Sequence, residues 1–223
     1  MTTKLFFQAL TKFFAGVVIV GLLLFLPAGT FDYWEAWLFL AILFVPMFVA
    51  GLVMMARNPE LLRKRLNAKE EQNEQKAVVL ISGLLFLAMF IMAGLNRRFQ
   101  WYLFPNWVVY AAAAVFLVGY ALYAEVLREN VWLSRTIEVQ DKQQVVDTGL
   151  YGIVRHPMYS ATLLLFLSMP LILNSVWSFA IMLLYVPVIA KRIRNEEVVL
   201  EQGLVGYSEY MKRVRYRLIP FVW

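Results

Sequence analysis

Long apolar blocks separated by polar segments set the pattern of this chain. At about 20 residues per crossing, six blocks read as membrane helices: roughly 6–26, 34–56, 77–95, 106–128, 158–173 and 175–190. The last two are short and are separated only by Asn174-Ser175, which predicts a tight antiparallel hairpin, tilted or partly buried among the others. Lys12 interrupts the first block and no small-residue cleavage site follows, so a retained span is expected there rather than a signal peptide. Pro46 and Pro187 fall inside spans, where neighbouring helices or water can replace the lost backbone hydrogen bond. The expected fold class is all-α, a polytopic membrane protein. Four helices occupy 1–130, and a second region, 131–223, holds the hairpin and a polar tail.

Composition agrees with this and narrows the chemistry. Hydrophobic residues make up 61% and charged residues 16%, against roughly 45–50% and about 25% in soluble domains, which excludes a large soluble core and a disordered chain. With no cysteine there is no disulfide scaffold, thiolate metal site or cysteine nucleophile, and a single histidine, His156, rules out a multi-histidine metal site. The formal charge of +6 does not call for nucleic acid, because the basic residues flank apolar spans. With the N-terminus inside and six crossings, all of the 21 Lys and Arg except Arg97 and Arg98 fall on the inner side. That bias places both termini and the long polar segments in the cytoplasm. The expected partner is the bilayer; nothing asks for an obligate protein partner.

The 57–76 loop sets Leu61, Leu62 and Leu66 near one face of a short helix, suited to an anionic membrane surface. A solvated connector accounts for it equally well, since Glu60, Glu70, Glu71 and Glu74 offset most of its basic charge.

Chemistry must sit in the polar parts, because ionisable groups at a membrane are costly unless used. Residues 135–160 open with strand-like alternation over Thr136–Val139, turn at Asp147-Thr148-Gly149 and reach Arg155-His156-Pro157 where the next apolar run begins. Pro157 suits a first helical turn, which leaves Arg155, His156 and Tyr159 at the mouth of the hairpin. At its other end stands Lys191-Arg192-Ile193-Arg194-Asn195-Glu196-Glu197. A two-residue turn makes the legs antiparallel, so 155–159 and 190–197 must lie close together. Arg192 and Glu196 are four apart and share a helix face. On the residues alone, Arg155 and His156 serve equally as interfacial anchors for headgroups or helix ends. No nucleotide-binding glycine motif is present, and no G-x-S-x-G elbow supports a Ser-His-Asp reading with Ser160 or Ser134.

From Gly149 onward the chain resembles the isoprenylcysteine carboxyl methyltransferases, integral membrane enzymes that are also similar to phospholipid N-methyltransferases. The resemblance rests on GLYGIVRHPMY, the apolar hairpin, RIRNEE and YSEYMKRVRYRLIP. It implies a cytoplasmic site for S-adenosylmethionine. The implied cofactor contacts are Tyr151, His156, Pro157, Met158, Tyr159 and Glu196, with Gln140, Gln143, Gln144, Val145 and Val146 upstream, where the family commonly has a histidine at the place of Gln143. Arg192 matches the family's substrate-facing arginine, and Ala161 stands where a glycine is usual. Tyr151 and Tyr159 offer π-faces to adenine or to a sulfonium, and Arg192 suits two-pronged binding of a carboxylate or phosphate. Arg155 and Glu197 are further candidates for the chemistry; the base that an amine or thiol acceptor would need could be Glu197, Tyr159 or a phosphate of the substrate.

The implied reaction is methyl transfer to a lipophilic or amphipathic acceptor, such as the carboxylate of a prenylated cysteine; a headgroup amine or small lipid would ask much the same of the site. Two other readings stand beside it. An NADPH-dependent reductase of the sterol-reductase type typically carries asparagine and an acidic residue where this chain has Met158 and Thr162. A transporter or scaffold sits poorly with four N-terminal spans that hold almost no ionisable residues.

Overall fold

Helix ends fall where the polar segments begin. The computed structural model describes residues 3–66, 73–133, 137 and 139–223. Its helices are α1 (Thr3–Ala28), α2 (Trp34–Arg57), α3 (Pro59–Leu66), α4 (Asn73–Phe99), α5 (Asn106–Glu129), α6 (Pro157–Ile172), α7 (Val176–Leu183), α8 (Tyr185–Gly203) and α9 (Tyr207–Arg213), with a 3₁₀ turn at Gly149–Gly152. Among the described residues there is no strand. Of the expected strand-like stretch, residues 136 and 138 lie outside them, as do Ser134, Arg135 and the centre of the 57–76 loop.

Five segments are long and apolar enough to cross a membrane: α1, α2, α4, α5 and the joined α7–α8 segment, Val176–Gly203. The sixth expected block, α6, is shorter than the other five and runs between them rather than against lipid. Its 16 residues reach about 24 Å, short of a hydrocarbon core of about 30 Å. Burial explains the shortness, because Tyr159, Ala161, Leu165, Met169 and Ile172 face protein rather than lipid. The last helical segment also continues well past residue 190, its charged end reaching the polar side. It breaks once, at Leu184, just ahead of Pro187, which has no N–H to donate to the Leu183 carbonyl. Pro46, by contrast, lies within an unbroken α2.

Phe39, Met89, Phe116, Ile189 and Ile193 form part of one buried core, while Phe14, Val18, Ile19 and Leu22 of α1 stay exposed, as suits a lipid-facing helix. At Gly94 the α1 and α4 backbones approach so closely that a Cβ would lie 2.5 Å from the Leu24 carbonyl oxygen.

At one end of the bundle, polar groups tie three inter-helix turns together. Asn174 adopts a left-handed φ of 57°, which asparagine tolerates. Its side chain donates to Glu35 Oε1 at 3.1 Å and accepts from the Phe104 amide, while its carbonyl accepts from Asn96 Nδ2 at 3.0 Å. The Tyr33 hydroxyl donates to the Leu173 carbonyl at 2.6 Å. Because the helices alternate in direction, the RHPMY segment and the end of α8 gather at the opposite end. There α3 packs Leu62 against Leu5 and Met55, so its leucines serve the bundle. Lys12 is also explained: its ammonium donates to the Leu66 carbonyl at 2.7 Å, at the end of α3.

Candidate functional site

The site is assembled on two rigid pieces. The first is the 3₁₀ turn, which requires glycine at its start. Gly149 has φ 51°, and a Cβ there would overlap the Glu129 carboxylate, whose Oε2 accepts from the Leu150 amide at 3.0 Å. Tyr151 is then held twice: its hydroxyl accepts from Asn130 Nδ2 at 2.9 Å, and its carbonyl accepts from the Tyr210 hydroxyl at 2.8 Å. His156 sits at the N-cap of α6 with Pro157 in the first turn, as the sequence predicts.

The second piece is a buried ionic hub on α8. Glu197 Oε1 accepts from Arg155 Nε at 2.7 Å and lies 3.3 Å from His156 Nε2; Oε2 accepts from Arg217 Nε at 2.7 Å. Arg155 also donates to the carbonyls of Val214 and Arg215, at 2.9 and 3.0 Å. The backbone amides of Arg155 and His156 donate to the Tyr216 and Arg217 carbonyls, and Ser160 Oγ donates to the Leu218 carbonyl. These bonds sew the C-terminal tail onto the RHPMY segment. Both oxygens of Glu197 are engaged, and so is Ser160.

Between these pieces opens a cleft with a cavity volume of about 90 Å³. Arg192 Nε donates to the Tyr159 hydroxyl at 3.0 Å, and that hydroxyl donates to Glu196 Oε2 at 2.5 Å. The expected Arg192/Glu196 pairing on one helix face is thus bridged by a buried phenol from α6. Gln75, fully buried near the start of α4, accepts from Arg192 Nη1 at 3.4 Å; its Nε2 has no partner among the described residues.

Most of the sequence-predicted residues meet at this cleft. Arg155, His156, Met158 and Tyr159 line it, with Tyr151, Arg192 and Glu196. Gln143, Gln144, Val145 and Val146 complete that set from the upstream loop. Three do not line it. Glu197 is the hub behind the wall, Pro157 shapes the helix start, and Gln140 braces the loop by donating from Nε2 to the Trp132 carbonyl at 2.6 Å. Sequence reasoning missed Asn130, Trp132, Leu200, Leu204, Tyr207 and Tyr210 on the cleft wall. Leu200 and Leu204 continue the four-residue stripe of Arg192 and Glu196, a signal that was legible. Tyr207 and Tyr210 come from α9, and no periodicity connects them to the motif.

Burial pushes the phenols of Tyr151, Tyr207 and Tyr210 above the ordinary tyrosine range, and at Tyr207 the nearby Glu197 and Glu196 charges add to this. All three stay protonated at neutral pH. The cleft thus joins aromatic faces, neutral hydroxyls, two arginines, of which Arg155 is engaged by Glu197, and one carboxylate, Glu196. The Tyr207 hydroxyl is buried with no partner among the described residues. This donor set fits a ligand that carries a flat ring, hydroxyls and an amino group, as S-adenosylmethionine does. No group of three or more His, Asp or Glu capable of holding a metal occurs among the described residues.

A second, apolar cavity of about 510 Å³ lies between α1, α2, α3, α5 and α6. Thr162 borders it one helical turn from Met158 of the cleft, and Leu127 borders it one turn from Asn130. Lys12 and Arg65 are its cationic lining residues, and the Arg65 guanidinium stands 5.3 Å over the Tyr123 ring.

Residues 107–204 match the family model of the phospholipid methyltransferases (PEMT), a family that includes the isoprenylcysteine carboxyl methyltransferases. Over 91 residues the chain is 33% identical to a Delta(14)-sterol reductase of Mus musculus, an alignment that takes in 40% of this chain and 22% of the reductase. The chain therefore spans about a fifth of that relative's length. A membrane methyltransferase fits both the family match and the five apolar helices.

Proposed function

We propose that this protein is an integral membrane methyltransferase that moves a methyl group from S-adenosylmethionine to a lipophilic or amphipathic acceptor, such as the carboxylate of a prenylated cysteine. The observation that carries this reading is the Arg192–Tyr159–Glu196 relay, set in a cleft walled by the RHPMY segment. When bound, the cofactor supplies an electrophilic methyl group, and the chain's own task is placement. Glu196 accepts hydrogen bonds from cofactor hydroxyl or amino groups. Tyr159, fixed between two charges, orients both partners, and Arg192 holds an anionic acceptor from the same helix face. If the acceptor is already an anion, no base is required and positioning accounts for most of the acceleration. Arg155 and Glu197 act as positioning residues that fix the tail against the site.

The apolar cavity beside the cleft supports a membrane-resident acceptor, since a hydrocarbon chain lodged there lies one helical turn from Met158 and Asn130 of the cleft wall. In this reading the cleft and both termini face the cytoplasm, in keeping with the distribution of Lys and Arg along the chain. A phospholipid or small-lipid amine is the alternative acceptor within the same chemistry.

The similarity to the sterol reductase favours a second reading, an NADPH-dependent membrane reductase. Met158 and Thr162 stand against it, at positions where such enzymes typically carry asparagine and an acidic residue. Isothermal titration of the detergent-purified protein with S-adenosylhomocysteine and with NADPH separates the two. Heat from the first ligand alone is expected; binding of NADPH alone would reverse the assignment.

A further inference from the structure

We infer that the Tyr207 hydroxyl is a hydrogen-bond donor to the nucleoside half of the bound cofactor. The inference deepens the methyltransferase reading and rests on it.

The argument starts from a cost. Tyr207 is 4% exposed, and its hydroxyl is buried with no partner among the described residues. A buried hydroxyl left unpaired destabilises a fold, and phenylalanine would fill the same space without that penalty. The neighbouring Tyr210, whose ring centre lies 5.7 Å away, shows the contrast: its hydroxyl is used, donating to the Tyr151 carbonyl. That bond anchors α9 to the 3₁₀ turn and holds the Tyr207 ring at the cleft wall. A fixed, neutral phenol with a free donor on a ligand cleft is set up for a partner that arrives with the ligand.

The half of the ligand follows from the polarity of the wall. Tyr207 packs with Leu204, Leu200 and Val145 in a small apolar cluster, which suits the faces of a purine. The charged relay of Arg192 and Glu196 with Tyr159 forms the other part of the cleft, suited to the sulfonium and amino-acid end. The ring of Tyr207 thus lies on the apolar part while its hydroxyl stands near the Glu196 and Glu197 carboxylates, at the seam of the two parts, where a ribose oxygen of the nucleoside would meet it.

Tyr207→Phe removes only that oxygen. Full-length wild type and variant in detergent are titrated with S-adenosylhomocysteine and with 5′-methylthioadenosine, which keeps the nucleoside and lacks the amino-acid end. The expected result is a loss of roughly two- to tenfold in affinity for both ligands, the size of one neutral hydrogen bond. The unliganded variant should melt at the wild-type temperature or above it. Unchanged affinities would overturn the inference. A loss confined to S-adenosylhomocysteine would move the contact to the amino-acid end and overturn the nucleoside assignment. Weaker binding with a lower unliganded melting temperature would make the hydroxyl structural, which also overturns it. Wild type that binds neither ligand refutes the methyltransferase reading, and the inference falls with it.

Discussion

Adjacent carboxylates on α8 should fail in different ways. Glu197 and its partner Arg155 each have side chains only 7% exposed, and Arg217 completes the pairing from the tail. Glu197→Gln keeps the shape and removes the charge, leaving a buried guanidinium uncompensated. Breaking a buried pair in this way costs about 3–5 kcal/mol. For a chain of this size, about 3 kcal/mol lowers the melting temperature by roughly 6–12 °C. Glu196 is only half-buried and faces the cleft through the Tyr159 hydroxyl. Glu196→Gln should therefore leave the melting temperature within a few degrees of wild type. It should weaken S-adenosylhomocysteine binding roughly 10- to 150-fold, the range for a charge-assisted hydrogen bond of about 1.5–3 kcal/mol. The assay is intrinsic-fluorescence melting in detergent for both variants, paired with isothermal titration. If the two variants lost stability and affinity alike, the division between hub and cleft would be refuted; a stable Glu197→Gln beside a destabilised Glu196→Gln would invert it.

Arg192→Ala should retain S-adenosylhomocysteine affinity within a few fold yet lose methyl transfer to a lipophilic acceptor, as measured by initial rates; loss of cofactor binding instead would place the arginine on the cofactor. Gly51 borders the apolar cavity and a Cβ there would meet nothing within 4 Å, so Gly51→Leu should fill part of the cavity and lower turnover of long-chain acceptors more than short ones, with the ratio of rates as the readout. Single cysteines introduced at Gln100, Gln143 and Val205 into this cysteine-free chain should label with an impermeant thiol reagent in intact cells only at 100, whereas labelling at 143 would invert the orientation.

The sequence alone determined the apolar helices and their approximate limits, because a backbone in hydrocarbon must satisfy its hydrogen bonds within each segment. It also determined that Arg155–Tyr159 and Arg192–Glu196 meet, since a two-residue turn at Asn174-Ser175 leaves the hairpin legs no other course. The four-residue stripe from Arg192 through Glu196 to Leu200 and Leu204 was equally local information. What the sequence left open is rotation and distance. Successive residues on a helix point about 100° apart, so nothing in the order Glu196-Glu197 says which one faces the cleft; the packing of α8 against α6 and the tail decided it. α6 reads as an apolar block from its composition, and only its neighbours show that it runs through the bundle buried among the other helices. Gln75 on α4 and Tyr207 on α9 reach the site from 117 and 48 residues away from Arg192 and Tyr159 respectively, through contacts that no local period encodes. Side chains brought together by packing of distant helices follow from the three-dimensional arrangement of the whole bundle, and only the tertiary structure supplies that.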